Sequence, residues 1–261
     1  MTRLEAPAKL TWSLEVRARR ADGYHLLHAE MVTLGLRDEL RIEEGGTGVR
    51  FTGPYGASVE RGPGELVARA LALVARAAGV TVDKQIPVGG GLGGGSADAA
   101  AILRWAGGVD PVTALSLGAD VPFCQRGGRA LVEGIGEELT PLPWVEREVT
   151  LLLPDFTVST PACYQAFDEM VAAGWRPRGR NHLEEPARRV EPRLAATLDW
   201  LRARYGPVHL AGSGSTLYVE GRLESPEVLT GPAGPVRVMA TATARWRATT
   251  CPPRGAGSAS A

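Results

Sequence analysis

Residues 87–100 read PVGGGLGGGSADAA, with glycine at six of the seven positions 89–95. Glycine loses more conformational freedom on folding than any other residue, so an ordered run of it needs a compensating use for bare backbone. The flanks suggest that use. VTVDKQI alternates like a strand and is expected to stop at Pro87. Ser96 through Ala106 reads as a helix with Ala99, Ile102, Leu103 and Ala106 on its apolar face. Ser96 is the expected N-cap, with Asp98 in the first turn. Strand, glycine loop and helix start together offer unpaired N–H groups and a positive dipole end, which suit phosphate.

The loop is not a P-loop, because no Lys follows the glycines. Gly89, Gly91 and Gly94 formally satisfy G-x-G-x-x-G, a cheap match in so glycine-rich a run. Asp110 falls short of the ribose-binding position, and Pro87 and the antiparallel strands upstream also argue against a dinucleotide fold. A phosphate cradle of a third type is expected.

The rest of the 261-residue chain reads as a globular α+β protein with two domains, 1–147 and 148–249, and a small, polar tail over 250–261. Residues 1–145 carry 15 basic and 17 acidic side chains, and 146–261 carry 14 and 12, so bulk charge offers nothing to nucleic acid. No apolar run has membrane-spanning length and the N-terminus lacks a signal-like core. Cys124, Cys163 and Cys251 form no zinc or disulfide pattern. A cytoplasmic location is expected, and monomer and homodimer both remain open. Of 29 basic residues only Lys9 and Lys84 are lysine, a bias that draws attention to both.

LTWSLEVRA alternates as a half-buried strand, ADGYH is a turn, and MVTLGLRDELRIEE reads as two strands with a turn at Arg37–Asp38. Helices are expected over 65–78, 162–173 and 192–205. Further strands are expected in GVRFTG, RALVEG, REVTLLLPD, TLYVE and VRVMATA.

The glycine motif resembles the ATP-binding motif of the small-molecule kinases that include galactokinase, homoserine kinase and mevalonate kinase. PAKLTWSLEV is similar to that superfamily's first motif. RADGYHLLH and LGADVPF resemble the 4-diphosphocytidyl-2-C-methyl-D-erythritol kinases in particular, and VSTPACY, RNHLE and LAGSGSTLY follow in that family's order. The likeness runs from about Ala6 to Tyr218. It implies an N-terminal domain of the ribosomal-protein-S5-domain-2-like type and a ferredoxin-like C-terminal domain. It also implies ATP as co-substrate with Mg²⁺, and a small-molecule substrate bearing cytidine diphosphate whose 2-hydroxyl is phosphorylated, in the non-mevalonate route to isoprenoid precursors.

Residue by residue, the resemblance makes Lys9 and Asp120 the catalytic pair. Asp120 would orient the hydroxyl and accept its proton as the bond to phosphorus forms, since a carboxylate cannot deprotonate an alcohol in advance. ATP would bind at Pro87, Val88, Gly89, Gly90, Gly91, Leu92, Gly93, Gly94, Gly95, Ser96 and Ala97. The substrate would meet Thr11, Tyr24, His25, Tyr164, Gly212, Ser213 and Gly214, with the aromatics and the imidazole serving the cytosine ring. Plainer uses exist: a solvated strand end for Lys9, a turn or cap for Asp120, core packing for Tyr164 and a helix cap for Asn181. No carboxylate cluster announces metal ligands.

Thr11 stands where the family usually has Asn, Glu65 replaces a second Asn, Ala97 replaces a Ser, and the span from Ala106 to Leu117 is short. A homoserine- or mevalonate-type kinase, a catalytically weak nucleotide-binding protein and a dinucleotide oxidoreductase are the competing functions.

Overall fold

The computed structural model describes residues 1–59 and 63–246, the side chains of 63–65 excepted. Two long strands, β1 (Thr2–Arg19) and β2 (His25–Glu44), pair antiparallel around the Asp22–Gly23 turn. Along the chain follow β3 (Val49–Thr52), α1 (Pro63–Leu73), β4 (Ala78–Asp83), α2 (Gly94–Trp105), α3 (Pro111–Leu115), α4 (Val121–Arg126), β5 (Arg129–Gly134) and β6 (Glu138–Pro141). Among the described residues these strands form one sheet. β1 takes one edge of β2, while β4 and β5 share the other, opposite Glu39–Glu44 and Leu27–Val32.

The expected turn at Arg37–Asp38 is absent, because β2 runs straight through it. The polar pair sits at the gap between β4 and β5. There the fully buried Asp38 carboxylate accepts hydrogen bonds from the backbone N–H of Gln85 (2.6 Å) and Ile86 (2.8 Å). A buried charge looks like a turn signal only when its partners are remote in sequence. The strand before the glycines correspondingly ends at Asp83, ahead of Pro87.

The half-buried reading of β1 also needs correction. Leu10, Trp12 and Leu14 are buried as their period requires, but Lys9 and Thr11 on the opposite face are buried too. The glycine loop lies beside them, with Lys9 N–H donating to Leu92 O at 3.0 Å. Further along the same edge, Leu14 N–H donates to Arg180 O (2.9 Å), and His182 N–H donates to Leu14 O (2.8 Å). Backbone groups of a free edge strand are thus satisfied and shielded.

The second sheet contains β7 (Glu148–Pro154), β8 (His209–Leu210), β9 (Leu217–Glu220), β10 (Val228–Gly231) and β11 (Gly234–Ala242). It is joined by helices α5 (Thr160–Ala172), α6 (Glu184–Val190) and α7 (Pro192–Tyr205). Its order β10-β11-β7-β9-β8 contains the ferredoxin-like order, with the hairpin strand β10 between β9 and β11 where that arrangement has its second helix. One apolar cluster spans both sheets, joining Leu10 and Leu14 to Leu151, Leu183 and Tyr218. A second, around Leu194, Leu198 and Leu201, fills the space under α7. Expectations for Cys251 and the tail lie outside the described residues, as does the side chain of Glu65.

Candidate active site

Helix α2 begins two residues earlier than expected. Gly93 is its N-cap, at φ +69°, and Ser96 makes no capping hydrogen bond. A left-handed glycine lets the chain turn directly from loop into helix, which leaves the first N–H groups uncapped by any side chain. Asp98 therefore falls beyond the first turn and is buried.

The glycines are needed for close approach as well as for their φ angles. A Cβ on Gly91 would lie 2.9 Å from Gly214 O and 3.2 Å from Ala211 O. One on Gly90 would lie 2.7 Å from Thr216 Oγ1. The loop is thus pressed against the second glycine turn, Gly212–Gly214, and Thr216 N–H donates to Gly90 O at 3.2 Å. Leu92 and Ala97 turn their side chains into the core, so only their backbone remains for a ligand. Pro87, Val88 and the glycines through Gly95 line a cavity of about 80 Å³ shared with Lys84 and Asp98. A larger cavity, about 320 Å³, lies against Pro154 and Thr157 and includes neither Lys9 nor Asp120.

Both lysines are buried on carboxylates. Taking an ammonium out of water costs several kcal/mol unless it is paired and hydrogen-bonded, which explains the placement. Lys9 Nζ lies 3.2 Å from Asp120 Oδ2 and donates to Thr11 Oγ1 at 3.0 Å. Thr11 is thereby a partner of the lysine, and its hydroxyl keeps one of the bonds an amide could make. Asp120 occupies the N-cap position of α4 without making a cap bond, and its side chain keeps 29% exposure. Arg104 of α2 fixes the pair's supports relative to each other, donating to Cys124 O of α4 (2.6 Å) and Glu5 O of β1 (2.8 Å). Burial lowers its pKa to about 10.

Lys84 donates to Asp38 and, at 2.6 Å, to Asp98 Oδ2. The triad ties the end of β4 to α2, so it anchors the glycine loop at both ends. Asp98 Oδ1 is buried without a hydrogen-bond partner among the described residues. Burial pushes the Asp98 carboxyl up to about 8 against the pull of Lys84. Sequence reasoning singled out Lys84 by the arginine bias but gave it no partner. Asp38 and Arg104 carried no signal of their own.

The residues expected around cytosine divide. His25 stacks on Tyr164, with ring centroids 4.7 Å apart and planes at 24°, and Phe167 meets it edge-on. Burial, then the nearby Asp120 charge, pushes the Tyr164 hydroxyl pKa upward. Tyr24 stays apart from this stack, 60% exposed. Ser213 Oγ lies 2.7 Å from Thr160 Oγ1. Asn181 is not the helix cap, since Leu183 holds the N-cap position of α6 with no side chain capping it. Its Nδ2 donates to Leu210 O (2.9 Å) and Gly212 O (2.7 Å), and its Oδ1 accepts from Leu183 N–H (3.0 Å). It holds the entry to the second glycine turn in place.

The chain as a whole is similar to known proteins. The model of the GHMP kinases N terminal domain matches residues 65–128. The chain is 38% identical over 231 residues to 4-diphosphocytidyl-2-C-methyl-D-erythritol kinase of Paracoccus denitrificans, covering 82% of this chain and 84% of that protein. The chain belongs to the 4-diphosphocytidyl-2-C-methyl-D-erythritol kinase family. The family's Thermus thermophilus member is 36% identical over 249 residues, covering 85% and 88%. A crystal structure of 4-(cytidine 5'-diphospho)-2C-methyl-D-erythritol kinase superposes with TM-score 0.67 at 34% identity, covering 93% of this chain and all of that one. A crystal structure of L. major mevalonate kinase in complex with R-mevalonate shares the fold at TM-score 0.62 and 12% identity, covering 93% of this chain and 96% of that one. This kinase is therefore an ATP-dependent member of the GHMP fold. Among its described residues no helix is long and apolar enough to cross a membrane.

Proposed function

We propose that this kinase transfers the γ-phosphoryl of ATP to the 2-hydroxyl of 4-diphosphocytidyl-2-C-methyl-D-erythritol. The observation that carries the reading is the Lys9–Asp120 pair, at 3.2 Å, beside a glycine loop whose Leu92 carbonyl is bonded to Lys9 itself. Asp120 orients the substrate hydroxyl and takes its proton as the new O–P bond forms. The bond from Pγ to the bridging oxygen breaks, and ADP leaves with the electron pair. Lys9 pairs with Asp120 and stabilises charge on the transferring group. The amides of the glycine loop and the start of α2 hold the phosphates, and Ser96 lies in that first turn. The work is positioning and charge stabilisation.

Mg²⁺ fits this site as an ion held mainly by the nucleotide. Among the described residues no group of three or more His, Cys, Asp or Glu could cage it, and Mg²⁺ commonly takes one or two protein oxygens plus phosphates and water. Ser96 in the first turn of α2 and the partly exposed Asp120 would supply such oxygens. When bound, the ion neutralises phosphate charge.

The cytidine end is read from Tyr24, with its exposed face, and from His25 and Tyr164 beyond the reacting groups. Homoserine or mevalonate kinases have no need of a nucleobase pocket, which favours the diphosphocytidyl substrate over theirs. We take residues 1–147 as the ATP-binding unit and 148–249 as the unit that brings the second glycine turn and Tyr164. The buried free thiols Cys124 and Cys163 suit a cytoplasmic enzyme. The test is a coupled assay of ADP release with the diphosphocytidyl substrate, homoserine, mevalonate or no acceptor. Turnover with the first alone is expected, and turnover with either other acceptor in its place would overturn the assignment.

A further inference from the structure

His25 and Asp168 carry an inference that rests on the cytidine reading above. The His25 side chain is 9% exposed, and its Nε2 lies 2.7 Å from Asp168 Oδ1. The other Asp168 oxygen lies 3.5 Å from Arg19 Nη1, so the carboxylate is held from two sides. Tyr164 covers one face of the imidazole and Phe167 meets it edge-on. Turning the ring over would place carbon where Nε2 now bonds. An ionised carboxylate only accepts, so Nε2 is the nitrogen that bears hydrogen, and in the neutral ring Nδ1 keeps its lone pair. Among the described residues no hydrogen bond reaches that Nδ1.

We propose that Asp168 is a positioning residue for base specificity: by fixing the Nε2–H form of His25 it makes Nδ1 an acceptor, which selects the 4-amino group of cytosine over the 4-carbonyl of uracil. The amino group donates to such an acceptor, whereas a carbonyl oxygen opposes it lone pair to lone pair. Uracil could offer only its N3–H, and only by sliding along the aromatic stack. Asp168 thus acts on the base through His25 and takes no part in phosphoryl transfer.

The test compares kcat/KM for the diphosphocytidyl substrate and its uridine analogue in the full-length wild type and in Asp168→Ala, Asp168→Asn and Asp168→Glu. The wild type should prefer cytidine by about tenfold or more, the effect of one mismatched hydrogen bond. Asp168→Ala should bring the two substrates within about threefold of each other, through KM for the nucleotide substrate, with saturating kcat and the KM for ATP unchanged. Asp168→Glu should restore most of the preference, and Asp168→Asn keeps the shape should the alanine variant fold poorly. The ¹⁵N shifts of ring-labelled His25 read the tautomer without any substrate: Nε2–H with bare Nδ1 in the wild type, and a mixture in Asp168→Ala. A wild-type ring protonated at Nδ1, or an unchanged cytidine preference in a folded Asp168→Ala, would overturn the proposal. A wild type that does not phosphorylate the cytidine substrate would instead overturn the functional reading, leaving the tautomer measurement to decide the part played by Asp168.

Discussion

Gly93 lies against the aliphatic stem of Lys9: a Cβ built on the glycine would come within 2.8 Å of Lys9 Cγ and 3.2 Å of Cε. The capping glycine of α2 and the buried lysine of β1 therefore occupy one space. Gly93→Ala adds both this clash and an L-residue at φ +69°. The φ strain alone is worth about 1–3 kcal/mol. The variant should melt several degrees lower, and displacement of the ammonium should reduce kcat by about tenfold or more. Thermal unfolding and steady-state kinetics check both. Wild-type kcat would show that Lys9 does not depend on this contact.

Asp120→Asn should leave ATP binding intact while kcat falls by about 10²–10⁴-fold, the usual contribution of a general base. No cap bond to α4 is lost, but the buried Lys9 ammonium loses its carboxylate, so the variant should also melt lower than the wild type. Calorimetry with a nonhydrolysable nucleotide and turnover assays separate the two effects. Substantial retained activity would remove Asp120 as the base.

Lys9→Met keeps the length of the stem but leaves Asp120 without its cation. Turnover should drop by about 100-fold. A melting temperature that collapses, with normal turnover in whatever remains folded, would assign Lys9 to structure alone.

Tyr24→Ala addresses the cytidine end. The ring is 60% exposed, so folding gives up little contact area. Stacking on a base is worth about 1–3 kcal/mol, so KM for the diphosphocytidyl substrate should rise by about tenfold or more with the melting temperature unchanged. An unchanged KM would move the base elsewhere.

Asp98 gives a pH dependence of stability. Burial raises its folded pKa to about 8, well above the value near 3.9 of a free Asp. The folded chain then holds a proton that the unfolded chain releases across that interval. This contribution is full below about pH 4 and is lost as pH rises through about 8. Asp98→Asn carries no such proton. The melting temperature of the wild type relative to Asp98→Asn should therefore fall by about 10 °C between about pH 5 and pH 9. A difference that does not vary with pH would show that Asp98 keeps its charge throughout.

Much of the fold was legible because it rests on local pattern. The alternation from Leu10 to Val16 and the helical spacing from Leu194 to Leu201 each reflect a single apolar surface. The glycine loop was legible because its composition has few other uses. What escaped depends on partners far away in sequence. Asp38 sits in a polar pair that reads as a turn, and only Lys84 and the amides of Gln85 and Ile86 reveal it as an anchor. Ser96 looked like a cap because serine favours that role locally, but Gly93 could enter the helix from a left-handed turn and took the position. Asp168 gave no signal because the partner that defines it, His25, lies 143 residues away.

The seam along β1, together with the bridge between Leu34 and Thr243 and the bond from Ala244 N–H to Thr33 O at 2.9 Å, leaves the enzyme poorly suited to working as a clamshell. Its two sheets are already tied together at several points, so substrates must be accommodated by small local adjustments. Small-angle scattering of the particle should be nearly indifferent to added nucleotide, and its turnover should owe little to the swing of large bodies.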